Sequence, residues 1–262
     1  MYNFIEKIYL NWIGIIMIKR LIESIGNKFG VVVVPDWRAT RLDEERHLSK
    51  LLRYLNVDCV FDVGANVGQY GRMLRDYVGY RRTIISFEPN PIAFNKLKIA
   101  SAGDQQWHCE QLALGNTTGF ADFHAYDQSD LGSFRDFKKS IHAPKKMNSK
   151  TVSVRVEKIE NYINLAKEKY KFKRPFLKID TQGFDLEVAK GSGNAIKDFV
   201  GLQSEIAFQN IYDNSPDYIS SIKLYESFGF TISRLIPIHE AHFPDLVEMD
   251  VIMIRSDLIV RS

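Results

Sequence analysis

Cysteine is nearly absent. Cys59 and Cys109 are the only two in 262 residues. Two thiols cannot build the disulfide framework of a small secreted domain, and their spacing is not that of a zinc site. A reducing, cytoplasmic compartment is the expectation. Cys59 lies in the run 57–61, apolar but for Asp58, and reads as a small core residue. Strong charge of one sign is also lacking. The formal net charge is +3, and no run of lysine and arginine is long enough to follow a nucleic-acid backbone, so no nucleic acid partner is expected. His142, His239 and His242 share no ligand-like spacing with one another or with the cysteines, so no metal is expected. The chain has no internal repeat and no low-complexity segment. The uncharged stretch from Ile8 to Ile18 is shorter than the ~20 residues of a spanning helix. It is also a poor signal peptide, because Glu6 and Lys7 break it and no small-residue cleavage site follows.

What is present fits one sizeable core: 45% hydrophobic, 12% aromatic and 26% charged residues. Residues 1–40 read as an apolar, amphipathic helical extension, and 41–262 as the main domain. The segment 1–34 suits either helix packing, on the domain or in a homodimer, or a helix lying on a membrane surface with Lys7, Lys19 and Arg20 outward. RLDEERHLSKLLRYLN reads as an amphipathic helix. Then VDCVFDVG, RRTIISFEPNP and QQWHCEQLAL read as strands, with helices of about a dozen residues between them. That rhythm predicts a parallel sheet with right-handed crossovers. GFADFHAY and TVSVRVEKI are alternating strands around a long polar segment. FLKID and VGLQSEIAF continue the sheet, and FTISRLIPI with MDVIMIRS predicts a terminal antiparallel pair. About seven sheet strands in a three-layer α/β domain are expected.

The chemistry gathers at strand ends. VFDVGANVG is a strand followed by a glycine-rich turn, which lets backbone approach a nucleotide and aims helix N–H groups at it. The turn is not G-x-G-x-x-G, since Asn66 stands where a dinucleotide-binding turn has its second glycine. Asp62 stands two residues before Gly64. A carboxylate there repels a pyrophosphate but not a cationic amino acid. Glu88, in SFEPNP, follows Gly64 at the distance where doubly wound folds place an acceptor for ribose hydroxyls. Gln111 and Leu112 end the third strand at the same edge, and LKIDTQG ends the fourth.

Together DVGANVGQY, SFEPNP, the later QLAL, SDLGSF and LKIDTQGFDLEVAKG resemble the FkbM-type methyltransferases, from about residue 58 to 254. The resemblance implies a Rossmann-like class I fold, mostly parallel with helices on both faces and a C-terminal antiparallel strand pair, and S-adenosylmethionine as cofactor. Gly64, Ala65, Asn66 and Gly68 would hold the amino-acid part, with Asp62 as a nearby polar anchor. Glu88 would bind the ribose diol, Gln111 and Leu112 would flank adenine, and Ser133 would border the cofactor. Asp180 would stand beside the methyl. The family usually has LKID-x-E-G-x-E; here Gln182 and Asp185 replace both glutamates, which argues against a paired-carboxylate metal site.

The resemblance further implies transfer to a small-molecule or glycan acceptor, most simply at a hydroxyl. A hydroxyl wants a positioned base. Asp180 leads, followed by Glu205, His124 and His239. Two other classes stay open. One is a nicotinamide-dependent oxidoreductase, against which the Asn66 spacing argues. The other is a non-catalytic nucleotide-binding scaffold.

Overall fold

A computed structural model describes residues 36–39, 41–126, 132–135, 149–209, 212, 215–238 and 244–259. The apolar segment 1–34, most of the polar segment after GFADFHAY, and His142, His239 and His242 lie outside the described residues. The chain divides into two units, Met1–Asp43 and Glu44–Ser262. The first contributes the helical turn Asp36–Ala39; the second carries both sheets.

Helix α1 (Leu42–Tyr54) buries Leu48, Leu51 and Leu52 along one stripe, the amphipathic face its spacing predicts. Strands β1 (Cys59–Val63), β2 (Thr83–Phe87) and β7 (Pro175–Ile179) are buried at every position. Such strands need helices on both faces, which is why they read as nearly continuous apolar runs. Between β1 and β2 the chain forms α2 (Gln69–Met73), which widens into a π-helical turn at Leu74–Val78. Helix α3 (Pro91–Ala100) starts cleanly because the Asn90 side chain accepts the Ile92 N–H and proline occupies the first turn. Next come β3 (Trp107–Glu110), β4 (Ala113–Leu114), β5 (Gly119–Tyr126) and β6 (Ser149–Glu157). Helix α4 (Ile159–Tyr170) leads to β7, and α5 (Asp185–Lys190) to β8 (Gly201–Ala207). Helix α6 (Tyr218–Ser227), β9 (Phe230–Ile238) and β10 (Glu248–Arg255) complete the chain.

The main sheet has seven strands in the order β3-β2-β1-β7-β8-β10-β9. β3, β2, β1, β7 and β8 pair in parallel, and β10 runs antiparallel to both β8 and β9. This is the predicted mostly parallel sheet with a C-terminal antiparallel pair. Phe61 anchors the core on one side, with its ring 5.3 Å from Phe199 and 5.6 Å from Phe87.

One expectation needs correction. QQWHCEQLAL reads as one strand, but the chain turns sharply where Leu112 N–H meets the Glu110 carbonyl at 3.0 Å. β3 stays in the main sheet, while β4 joins a second sheet of order β4-β6-β5. The alternation of residues is the same on both sides of the turn; pairing with β6 decides the sheet change. The two alternating strands β5 and β6 therefore belong to a separate layer packed through Ala113, Phe123, Val154 and Val156.

Candidate active site

Register sets the site. Asp62 of β1 stands opposite Ser86 of β2 on one side and Lys178 of β7 on the other. Its side chain is fully buried. Ser86 Oγ donates to Asp62 Oδ2 at 2.8 Å, and Trp107 Nε1 donates to Ser86 Oγ at 2.9 Å. Asp62 Oδ1 lies 3.3 Å from Lys178 Nζ. The same amine lies 3.4 Å from Asp180 Oδ2 and 3.4 Å from the Gly64 carbonyl. A buried charge is expensive unless paired, and here one ammonium serves two carboxylates. Burial lowers the Lys178 pKa, but Asp180 and Asp62 outweigh it and hold the amine charged.

The turn after β1 is tightly committed. Gly64 and Ala65 N–H both donate to the Phe87 carbonyl, at 3.1 and 3.0 Å, and Asn66 N–H donates to Glu88 Oε2 at 2.8 Å. Gly64 has φ +77°, and a Cβ there would sit 1.8 Å from the Asp180 carbonyl oxygen. Glycine is required here because the end of β7 presses on it, a reason the sequence did not disclose. Glu88 is buried, and its Oε1 accepts the Asn90 N–H at 2.8 Å. Burial pushes its pKa up to about 7, against the pull of the two backbone N–H groups. Two polar atoms beside the turn, Asn66 Oδ1 and Thr181 Oγ1, are buried without a hydrogen-bond partner among the described residues. Orphaned atoms of this kind suit a ligand that brings donors, such as an ammonium or ribose hydroxyls.

Beyond β7 the site turns acidic. Gln182, in left-handed backbone at φ 53°, is its hub. Its Nε2 donates to Asp180 Oδ1 at 3.0 Å and lies 3.3 Å from Glu205 Oε2, and its Oε1 accepts the Tyr212 hydroxyl at 2.8 Å. Ser133 Oγ donates to the Gln182 carbonyl at 2.8 Å, and Arg135 Nε to the Gly183 carbonyl at 2.8 Å. Asp185, Glu205 and Glu248 line a small cleft with Gly183, Tyr212 and Ser221. Burial raises all three pKa values, to about 7 for Asp185 and Glu248 and well above the usual range for Glu205, with neighbouring carboxylates adding to each. Asp250 is likewise raised by burial and by Glu44 and Asp180. Among the described residues, no group of three or more His, Cys, Asp and Glu is arranged to hold a metal ion.

The structure thus brings together Asp62, the turn Gly64–Gly68, Glu88, Asp180 and Glu205. Gln111 is exposed and Leu112 buried at the sheet-switching turn. Ser133 touches the loop after β7 through the Gln182 carbonyl. His124 lies on β5, joined to Ser133 by paired backbone bonds of 2.9 and 3.2 Å, so its link to Gln182 runs through Ser133. Lys178 and Tyr212 escaped the sequence reading. A lysine inside the otherwise apolar FLKI was the available signal for the first. Nothing local marked Tyr212.

A family model described as the methyltransferase FkbM domain matches residues 62–250. No curated protein matches the chain. Among solved structures, the fibrillarin pre-rRNA processing protein of Methanococcus jannaschii is 12% identical with a TM-score of 0.44, covering 76% of this chain and 67% of that one. A SAM-dependent methyltransferase from Aquifex aeolicus is 12% identical with a TM-score of 0.40, covering 84% and 94%. The magnesium protoporphyrin IX methyltransferase of Synechocystis is 9% identical with a TM-score of 0.40, covering 92% and 96%. Likeness at this level carries no inference about acceptor or partner.

Proposed function

The chain belongs to the FkbM methyltransferase family, and from that premise we propose that it methylates a hydroxyl oxygen on a sugar, a glycan intermediate or another small natural product. Its cofactor is S-adenosylmethionine, which when bound supplies an electrophilic methyl group. The residues suited to hold it are the turn Gly64–Gly68, with Asn66 Oδ1 as a free acceptor, and Glu88. Gln111 and Leu112 stand at the same edge. The carboxylate of Glu88 can accept ribose hydroxyls on lone pairs its two backbone donors leave unused.

One observation carries the choice of a hydroxyl acceptor. Asp180 stands at the contact between the glycine turn and β7, with its side chain 40% exposed, accepting from Gln182 Nε2 and 3.4 Å from Lys178 Nζ. In this reading Asp180 takes the acceptor's hydroxyl proton as the oxygen gains the methyl, and a methyl ether and S-adenosylhomocysteine leave. Glu205 is less suited, because burial favours its protonated form. His124 is held on the second sheet. The residues 41–262 form the catalytic domain in this reading, acting in the cytoplasm. Among the described residues no helix is long and apolar enough to cross a membrane.

Purified protein with tritiated S-adenosylmethionine and fractionated cell extract tests the proposal. A labelled, base-stable methyl ether is expected. Asp180→Asn should still bind cofactor but lose about 10²–10⁴ in rate, the usual contribution of a general base. Cofactor binding with no labelled acceptor in any fraction would favour the scaffold reading. Retained activity in Asp180→Asn would move the base elsewhere.

A further inference from the structure

Lys178 is the buried cation that the reaction scheme above leaves without a role. It sits on β7 among Pro175, Phe176, Leu177 and Ile179, all buried. An amine in such a strand is costly unless its three protons find acceptors. Three oxygens face it: Asp62 Oδ1 at 3.3 Å, Asp180 Oδ2 at 3.4 Å and the Gly64 carbonyl at 3.4 Å. The Tyr70 ring lies 5.2 Å from Nζ, within cation–π range. Tyr70 is itself fixed, since its hydroxyl donates to Gln203 Oε1 at 2.9 Å and Gln203 Nε2 donates to Glu44 Oε1 at 2.7 Å.

The three oxygens belong to three different parts. Asp62 is core, Gly64 is the cofactor turn, and Asp180 is the residue facing the acceptor. All three distances are longer than the ~2.8 Å of a fully formed ammonium–oxygen bond. The amine is therefore shared, close to equidistant, and committed to none of them. The turn and the end of β7 also touch through backbone at Gly64 and Asp180. A small displacement of the Gly64 carbonyl changes how much of the ammonium is left for Asp180.

We propose that Lys178 is a positioning residue that couples the glycine turn to Asp180, so that cofactor in the turn sets the orientation of the Asp180 carboxylate. This rests on the reading that the turn holds S-adenosylmethionine and that Asp180 faces the acceptor. The coupling orders the reaction: Asp180 is aimed only when the glycine turn is occupied by the cofactor's amino-acid part, which S-adenosylmethionine and S-adenosylhomocysteine share.

The test uses the full chain, selectively labelled with ¹⁵Nζ-lysine and ¹³Cγ-aspartate, and S-adenosylhomocysteine as the probe. Signals are assigned with Lys178→Met and Asp180→Asn. In the wild type, the probe should move both the Lys178 Nζ and the Asp180 Cγ resonances. In Lys178→Met, which removes the cation but keeps the stem, the probe should still bind while the Asp180 signal no longer responds. An Asp180 response that persists in Lys178→Met overturns the coupling and leaves the methyltransferase reading intact. Should Lys178→Met not fold, the wild type alone decides: a Lys178 Nζ signal unmoved by saturating probe overturns the proposal. Failure of the wild type to bind the probe overturns both the coupling and the cofactor site beneath it.

Discussion

The two halves of the carboxyl edge treat buried carboxylates in opposite ways. On the β1–β2 side, Asp62 and Glu88 accept from donors that serve no other acid: Ser86 for the first, which also has a share of Lys178, and the Asn66 and Asn90 amides for the second. On the β7–β8–β10 side, Asp185, Glu205, Glu248 and Asp250 crowd one another, and burial together with mutual repulsion drives their pKa values up. In the first half each carboxylate has hydrogen-bond donors of its own, although burial still holds the Glu88 pKa at about 7. In the second half the carboxylates face one another, and the pKa values of Asp185 and Glu248 are raised to about 7. Lys178 and Gln182 stand at the border, a cation and an amide between two sets of acids.

That contrast can be broken at its border. The largest effect is expected for Gly64→Ala. The new methyl meets the Asp180 carbonyl and the backbone is left-handed, so a loss of about 3 kcal/mol or more in unfolding free energy is expected by denaturant titration. A loss below about 1 kcal/mol would mean that the turn and β7 are not in contact. Next is Gln182→Glu, which places a third acid between Asp180 and Glu205 and removes a donor. It should lower stability by roughly 2 kcal/mol at pH 7.5 and by less at pH 5, where the added acid is partly protonated. Equal losses at both pH values would remove the electrostatic explanation.

The quieter half answers through binding. Glu88→Ala should weaken S-adenosylmethionine by roughly 1–3 kcal/mol in calorimetry, the cost typical of losing a charged hydrogen-bond partner. Glu88→Gln, which keeps a carbonyl acceptor, should lose less. Unchanged affinity in both would place the ribose elsewhere. The smallest effect concerns Glu248. Its pKa is raised from 4.5 to about 7 in the folded protein, chiefly by burial. Its contribution to stability is therefore full below about pH 4.5 and is lost as pH rises through about 7, because the unfolded chain ionises first. Tm should fall between pH 5 and 7.5, and Glu248→Gln should flatten that fall by a few degrees, at about 2–4 °C per kcal/mol for a chain of this size. An identical slope in the variant would assign the pH dependence to the other acids.

Much of this was legible along the chain. β1, β2 and β7 announce themselves as short apolar runs, each closed by an acid or a glycine, and the rhythm of strands and helices foretells the parallel sheet. The division of QQWHCEQLAL between two sheets was not legible, because alternation is the same in either sheet and only β6 distinguishes them. Gln182 looked like the loss of a glutamate. In the fold it is the donor that separates two carboxylates, a role visible only once Glu205 and Tyr212 are brought alongside. Lys178 looked like part of a motif, since nothing local says that its three acceptors come from β1, the turn and β7.

The sequence by itself determined the layered α/β fold, the glycine turn, the acids at the strand ends and the family, because periodicity and short-range spacing are local properties. Tertiary structure alone decided why Gly64 must be glycine, which acids share a partner and which repel, and that one buried amine touches both sides of the site. Those are matters of register and burial between strands far apart in the chain, and electrostatic energy depends on distances that no linear spacing encodes.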